Sequence, residues 1–476
     1  MHDRTELSAQ APAAPDASAR PKGLRTAEAK ATLALAIPLA LSQLAQIAIQ
    51  TTDVVMMGWL GPAALAAGGL TTNLFIIQIV FAMGVITAVS PMVAHVVGRA
   101  GSRGKIREVR RVVRQGLWLA TLLAVPFMVV CWYIRPILIA LHQDPELAAL
   151  SEGYMRGLMW AMPAALWFTV LRGFVSALSR TRMVFAITVV GIPCNAVAVY
   201  ALMFGRLGMP QLGLFGAGIA SSVVHSSMAL FLLIHVLTDR HYRRYCILGR
   251  FWHPEWSSFW EIIRIGAPIG GMWVIEFGVF TAALLLMGQF GADAMAAHQI
   301  ALQCSAITFM VPLGVAQAAT VRVGLFAGAG DGAGVRRAGW TGVALGIGFM
   351  AMTCLLFLFA GPSIVALFLD PADTGNRDVA VLAAQLLIVA GLFQLFDGAQ
   401  ATAAGALRGL KDTRVPLIIA SVGYWAISFP LAIALGFGAG GGPVGIWIAL
   451  AIGLAILAVL LNWRFHRLSR ATEEAA

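Results

Sequence analysis

Charge is scarce in this chain. Asp, Glu, Lys and Arg make up 12% of its 476 residues against 59% that are hydrophobic, which excludes an ordinary soluble globular domain. The five cysteines, Cys131, Cys194, Cys246, Cys304 and Cys354, show no paired spacing, and four of them lie in apolar runs. Neither a disulfide framework nor a zinc site follows from such a set. No phosphate-cradling loop of the GxxxxGK[ST] type is present, so no nucleotide chemistry is indicated. The polar, Ala/Pro-rich N-terminal stretch lacks the apolar core of a cleavable signal peptide and reads as a disordered cytoplasmic tail.

What the chain has instead is apolar length. Runs of about 20 residues, each able to cross a hydrocarbon core of about 30 Å, recur from Ala31 onward. Counted between turn signals, they predict twelve spans, at 33–57, 65–97, 115–134, 152–173, 183–204, 214–237, 262–288, 295–325, 339–360, 379–405, 415–436 and 444–464. The net charge of +11 is distributed in the same order. Arg99, Arg103, Lys105, Arg107, Arg110, Arg111 and Arg114 crowd the second connection. Arg240, Arg243, Arg244 and Arg250 crowd the sixth, and Arg408, Lys411 and Arg414 the tenth. Odd-numbered connections carry almost no Lys or Arg. This is the positive-inside pattern; it places both termini in the cytoplasm and accounts for the basic balance without a nucleic-acid partner.

The chain also repeats itself. Shifted by 230 positions, Pro38 meets Pro268, Met57 meets Met287, Gly58 meets Gly288 and Gly84 meets Gly314. Further on, at a shift of 232, Gly173 meets Gly405, and Thr181 and Arg182 meet Thr413 and Arg414. Six spans per repeat is an even number, so both repeats insert in the same orientation, about an axis along the membrane normal. The predicted fold class is therefore an all-α integral membrane protein, with twelve transmembrane helices in two pseudo-symmetric six-helix lobes. Its boundaries are a tail at 1–30, an N-terminal lobe at 31–238, an interfacial linker at 239–261, a C-terminal lobe at 262–465 and a second tail at 466–476. In the linker, Trp252, Trp256 and Trp260 recur at a four-residue spacing that would set three indoles on one helical face in the headgroup layer. Prolines inside spans, Pro38, Pro91, Pro193, Pro268 and Pro312, would bend helices.

Three acids stand alone inside apolar segments: Asp53, Glu276 and Asp397. A carboxylate in hydrocarbon is expensive, about 2.5–3.5 kcal/mol on insertion scales, and it can hold a proton or a metal cation. Glu276 lies 12 residues after Arg264 and Asp397 lies 11 before Arg408, about 18 and 16 Å along a helix. Both come out near the midplane, as a candidate cation-coupling pair of the C-terminal lobe that would also hold Na⁺ if sodium is the coupling ion. Asp53 is shallower. Glu276 aligns with Gln46 in the first repeat, and Gln46 and Asp53, seven residues apart, would line one first-lobe cavity. Asn195, just after Pro193, would add an amide ligand to Asp53 there. His298 and Gln299 open span 8, where packing or capping is the expected role. Arg322, Arg156 and Arg172 lie near span ends, where they would snorkel to headgroups.

These residues carry a resemblance. Thr52-Asp53-Val54-Val55-Met56-Met57-Gly58, Ile275-Glu276-Phe277, Ala296-Ala297-His298-Gln299 and Phe393-Gln394-Leu395-Phe396-Asp397, with Ala406-Leu407-Arg408-Gly409-Leu410-Lys411-Asp412-Thr413-Arg414, resemble the multidrug and toxic compound extrusion (MATE) family from Lys30 to Arg467. A Glu in the seventh span with an Asp in the tenth looks like its NorM-type branch. The resemblance implies a monomeric transporter, not an enzyme, in a bacterial inner membrane. It would exchange organic cations or amphipathic drugs for Na⁺ or H⁺, with no cofactor besides that ion. Glu276 and Asp397 would then bind the cation in one lobe, and Asp53 with Asn195 would form the ion or proton site of the other. Phe393 stands where NorM-type members often have Tyr, and Val199 where many relatives have Asn or Asp, which removes an oxygen near each acid. The alternative is a flippase of lipid-linked pyrophosphate sugars, which needs a cationic cavity; the mainly acidic set of intramembrane residues argues against it.

Overall fold

The computed structural model describes residues 21–99, 104–369 and 376–474, and the regular elements among them are all helical. The first half comprises α1 (Pro21–Trp59), α2 (Pro62–Thr87), α3 (Val89–Gly98), α4 (Lys105–Trp132), α5 (Ile134–Ala140), α6 (Pro145–Leu158), α7 (Ala161–Ala177), α8 (Arg182–Phe204), α9 (Gly213–Thr238) and the short α10 (Arg240–Arg243). The second comprises α11 (Trp256–Gly288), α12 (Ala292–Ala329), α13 (Gly332–Val365), α14 (Arg377–Gly409), α15 (Arg414–Ser421), α16 (Phe429–Ile433) and α17 (Gly442–Glu474). Backbone wound as π-helix flanks α16, at Val422–Ser428 and Ala434–Gly438.

Among the described residues eleven helical stretches are long and apolar enough to cross a membrane, and α6 with α7, bent by 41°, makes a twelfth. This bent pair holds the span expected at 152–173. Proline chemistry explains the bend. Pro163 has no N–H to close the preceding turn, and the helix breaks just before it at Met159 and Trp160. Pro91 stands in the same relation to the break at Ala88, between α2 and α3. Large apolar side chains such as Leu285, Phe359 and Val459 point outward, as hydrocarbon solvent allows.

The expected N-terminal tail is too long. Residues 1–20 lie outside the described residues, but helix runs from Pro21, and Glu28 within it is buried in an ion pair. The linker also differs. Helix α11 starts at Trp256, so Trp252 sits in a turn and only Trp256 and Trp260 share a helix, although all three indoles are exposed. Linker backbone carbonyls are held by the basic end of α4. Arg110 Nε donates to the Tyr245 carbonyl at 2.8 Å, Arg114 Nη1 to that of Arg250 at 2.9 Å, and Trp118 Nε1 to that of Phe251 at 2.8 Å. Arg111 and Arg114 both pair with Glu255. These arginines therefore secure the linker.

In the first lobe α8 packs on α1 and α9, and α7 on α4 and α9; in the second, α14 is central, against α12, α13 and α17. One apolar core runs through the first set and another through the second, and the division falls inside α11. Ile262, Ile265 and Ile269 join the N-terminal core, whereas Met272, Val279 and Ala283 join the C-terminal one. The lobes meet where α1 and α3 pack on α12 and α2 packs on α11. In lipid, apolar burial alone does not draw helices together, so small residues that let backbones approach matter more. A Cβ on Gly84 would stand 2.4 Å from Gly270 Cα, and one on Gly328 would stand 2.1 Å from the His95 carbonyl oxygen. Only glycine fits at these crossings.

Candidate functional site

The buried stripe of α8, Val184, Thr188, Gly191, Asn195 and Val199, follows helical spacing and turns Asn195 toward α1. Asn195 Nδ2 donates to Asp53 Oδ1 at 2.5 Å, and Ser221 Oγ of α9 donates to Asp53 Oδ2 at 3.0 Å. Both carboxylate oxygens are thus engaged by neutral donors from two different helices. Asn195 Oδ1, buried beside them, has no hydrogen-bond partner. A carboxylate and an unpartnered amide oxygen are oxygen donors of the kind that hold a proton or a hard cation. Val199, one turn on, is buried and apolar, so it adds no ligand.

In the second lobe Tyr424 Oη donates to Glu276 Oε1 at 3.2 Å, and Trp425 Nε1 donates to the Ile275 carbonyl at 3.3 Å. Both aromatics sit in the first π-wound segment, whose wider turn presents two successive residues to α11. Such π segments are frequent at functional sites. Asp397 of α14 is buried in the same lobe, within electrostatic range of Glu276. One turn before it, Gln394 accepts from Thr353 Oγ1 at 2.8 Å and donates to Thr308 Oγ1 at 2.5 Å, which ties α14 to α13 and α12. Phe393 packs edge-on against Phe280 and Trp447 and offers no oxygen to Asp397.

Between the lobes lies a cavity of about 460 Å³, walled by α1, α2, α3, α7, α11, α12 and α14. Gln46 and Glu276, equivalent positions of the two repeats, both face it, as the repeat alignment predicts. Asp53 does not. It points into its own lobe, so the shared cavity expected for Gln46 and Asp53 is two separate places. The cavity wall is rich in Met83, Met272, Met310, Trp273, Phe277 and Phe309. Soft, large side chains of this kind accommodate varied apolar shapes.

The remaining arginines and His298 take places of their own. Arg172 does not reach headgroups: it is 8% exposed, lines the cavity, and its Nη1 donates to Gln43 Oε1 at 2.8 Å. Arg408, read from sequence as part of a loop cluster, is also 8% exposed and lines the same cavity from within α14. Arg322 is held by Glu28, Nε to Oε1 at 2.8 Å and Nη2 to Oε2 at 2.6 Å, and stacks over Phe326. Arg156 pairs with Glu152 one turn away on α6. His298 lies a turn and more inside α12 and is buried, its Nδ1 accepting from Trp447 Nε1 at 3.1 Å; it packs rather than caps.

Sequence reasoning missed Tyr424, Ser221, Arg172 and Arg408. Tyrosine is rare here, six in all, and one within an apolar span was the available signal for Tyr424. Ser221 carried none, because serine is common where helices cross.

Comparison with known proteins gives a consistent result. The family model described as MatE matches twice, at residues 38–201 and 268–434, once in each repeat. A "Probable multidrug resistance protein NorM" of Mesorhizobium japonicum is 46% identical over 456 residues, 96% of this chain and 97% of its own length. Another of the same description, from Brucella suis, is 43% identical over 437 residues, covering 91% and 92%. Among solved structures, the eukaryotic MATE transporter AtDTX14 superposes with a TM-score of 0.82 at 20% identity, covering 95% of this chain and 99% of its own. A MATE protein in complex with MaL6 superposes with a TM-score of 0.85 at 18% identity, covering 94% and 97%. At such identities the two structures speak for the fold.

Proposed function

The chain belongs to the MatE family, and on that premise we propose that this multi-pass membrane protein is a multidrug efflux antiporter that exports amphipathic compounds in exchange for Na⁺ or H⁺. The observation that carries the reading is a cavity between two repeats, with Glu276 on its wall, Asp397 buried within electrostatic range of it, and Asp53 buried in the other lobe. A drug-sized cavity of a few hundred Å³ with a largely apolar wall and few polar groups suits such cargo. The coupling ion occupies Glu276 and Asp397; Asp53, with Asn195 and Ser221, holds a second ion or a proton. Rocking of one lobe against the other about the small-residue crossings exposes the cavity to either side in turn. The membrane is the bacterial inner membrane, with both termini in the cytoplasm.

The chemistry of exchange follows from electrostatics. An acid that must stay neutralised in a dry cavity holds a cation until cargo or opening to water releases it, so the two loads cannot both be kept. A flippase of pyrophosphate-linked lipids fits less well. Its dianionic head group requires a strongly cationic cavity, and here Glu276 shares the wall with Arg172 and Arg408 amid a largely apolar lining.

The test is ethidium efflux from vesicles containing wild-type protein, Glu276→Gln or Asp397→Asn. Each substitution abolishes ion-driven efflux on this reading; near wild-type efflux by both variants overturns it. Imposing a sodium gradient without a pH gradient, then the reverse, identifies the ion.

A further inference from the structure

Arginines drawn inward in this molecule are paired. Arg114 is buried against Glu255 and linker carbonyls, the mostly covered Arg322 meets Glu28, and the half-buried Arg464 meets Asp412. Arg172 and Arg408 break this pattern. Among the described residues no carboxylate lies within ion-pair distance of either, although each is 8% exposed. Arg172 spends one donor on the neutral amide of Gln43, and Arg408 Nε is buried with no partner at all. Both guanidinium groups line the central cavity, one from α7 and one from α14, so each lobe contributes one. Ser176, the repeat equivalent of Arg408, also lines it, and its hydroxyl is buried without a partner.

An unpaired guanidinium inside a membrane protein is expensive and, where it faces a cavity, marks a substrate path. Its planar fork matches a carboxylate with two parallel hydrogen bonds, which an ammonium does not reproduce. Glu276 lies on the same wall and interacts electrostatically with Arg408, so the cavity presents both signs of charge beside an aromatic and methionine surface. We propose that Arg408 and Arg172 form an anion-recognition subsite of the cavity, fitted to amphipathic cargo that carries a carboxylate. A cationic group on the same molecule is received by Glu276. The two arginines thus add affinity for a cargo carboxylate, while Glu276 still receives a plain cation such as ethidium. This rests on the efflux reading, whose cargo class it narrows.

The experiment compares two dyes of one skeleton, rhodamine 110 with a free carboxyl and rhodamine 123, its methyl ester. Equilibrium binding of each to the purified full chain in detergent is read by fluorescence anisotropy, which does not depend on transport. Wild type binds the acid more tightly than the ester. Arg408→Gln and Arg172→Gln each shift the acid-to-ester affinity ratio toward the ester by about tenfold, the order expected for one lost charge-assisted hydrogen bond. Arg408→Lys, which keeps the charge but not the fork, falls between. A ratio unmoved in all three variants, whether both affinities hold or both fall together, overturns the subsite. If Arg408→Gln does not fold, Arg172→Gln and Arg408→Lys decide the matter alone. Absence of ethidium efflux by wild type is a separate result, which counts against the efflux reading and leaves the binding ratio as measured.

Discussion

Tyr424 reaches Glu276 from a π-wound stretch of helix, its hydroxyl donating to Oε1 at 3.2 Å. Glu276 faces the cavity on one side and this phenol on the other, so the acid is oriented by a residue 148 positions away in sequence. A regular α-helix through Val422–Ser428 would rotate Tyr424 and Trp425 away from α11, which makes the π winding part of the site.

Tyr424→Phe keeps the packing and removes that donor. A hydrogen bond to a charged group is worth about 1.5–3 kcal/mol, so the concentration of coupling ion giving half-maximal efflux should shift by about tenfold or more. Thermal stability should change little, because the ring remains. Ethidium efflux titrated with Na⁺ at fixed pH, and with pH at fixed Na⁺, measures the shift; unchanged titrations argue that Tyr424 only packs.

Asn195→Ala leaves Asp53 with Ser221 as its side-chain donor in a buried setting. Loss of a buried partner to a carboxylate costs about 1–3 kcal/mol, so the melting temperature in detergent should fall by several degrees. Asp53→Asn added to Asn195→Ala removes the charge that lacked a partner. The double variant should therefore recover part of the lost stability while remaining impaired in efflux. A double variant as unstable as the sum of the two singles would mean that the pair does not interact.

Glu28 and Arg322 join α1 of one lobe to α12 of the other through two short hydrogen bonds. Breaking a buried pair by removing one partner costs about 3–5 kcal/mol, so Arg322→Ala should favour the conformer in which the lobes part on this side. Labelling of a cysteine placed at Gln317, on the cavity wall, should quicken severalfold when the maleimide is supplied from the side bearing the basic connections. Glu28→Ala with Arg322→Ala leaves no unpaired charge and should restore much of the stability. Labelling unchanged by Arg322→Ala would show that the pair does not hold the lobes together.

Much of the architecture is legible in the amino-acid sequence. Apolar length set the number of spans, and the doubled pattern from Pro38 and Pro268 anticipated a family match starting at the same two prolines. The acids were visible because a lone Asp or Glu in an apolar run has no cheap explanation. The Asp53–Asn195 contact was anticipated too, from an amide lying next to Pro193.

Other features depended on which helix faces meet. Arg172 and Arg408 looked like span-end and loop residues, since arginine near a span end can extend to water as readily as turn inward. Gln46 and Asp53 share a helical face in α1, yet one looks into the central cavity and the other into the lobe interior, because the walls of the two places come from different neighbours. Tyr424 required a π-helix that hydrophobic periodicity does not encode. The sequence alone determined a duplicated twelve-span membrane bundle with three acids inside its spans, because transfer into lipid is a property of each segment by itself. Only the tertiary structure decided the cavity's charge, with two arginines beside Glu276, because which side chains converge on one space depends on how the segments pack.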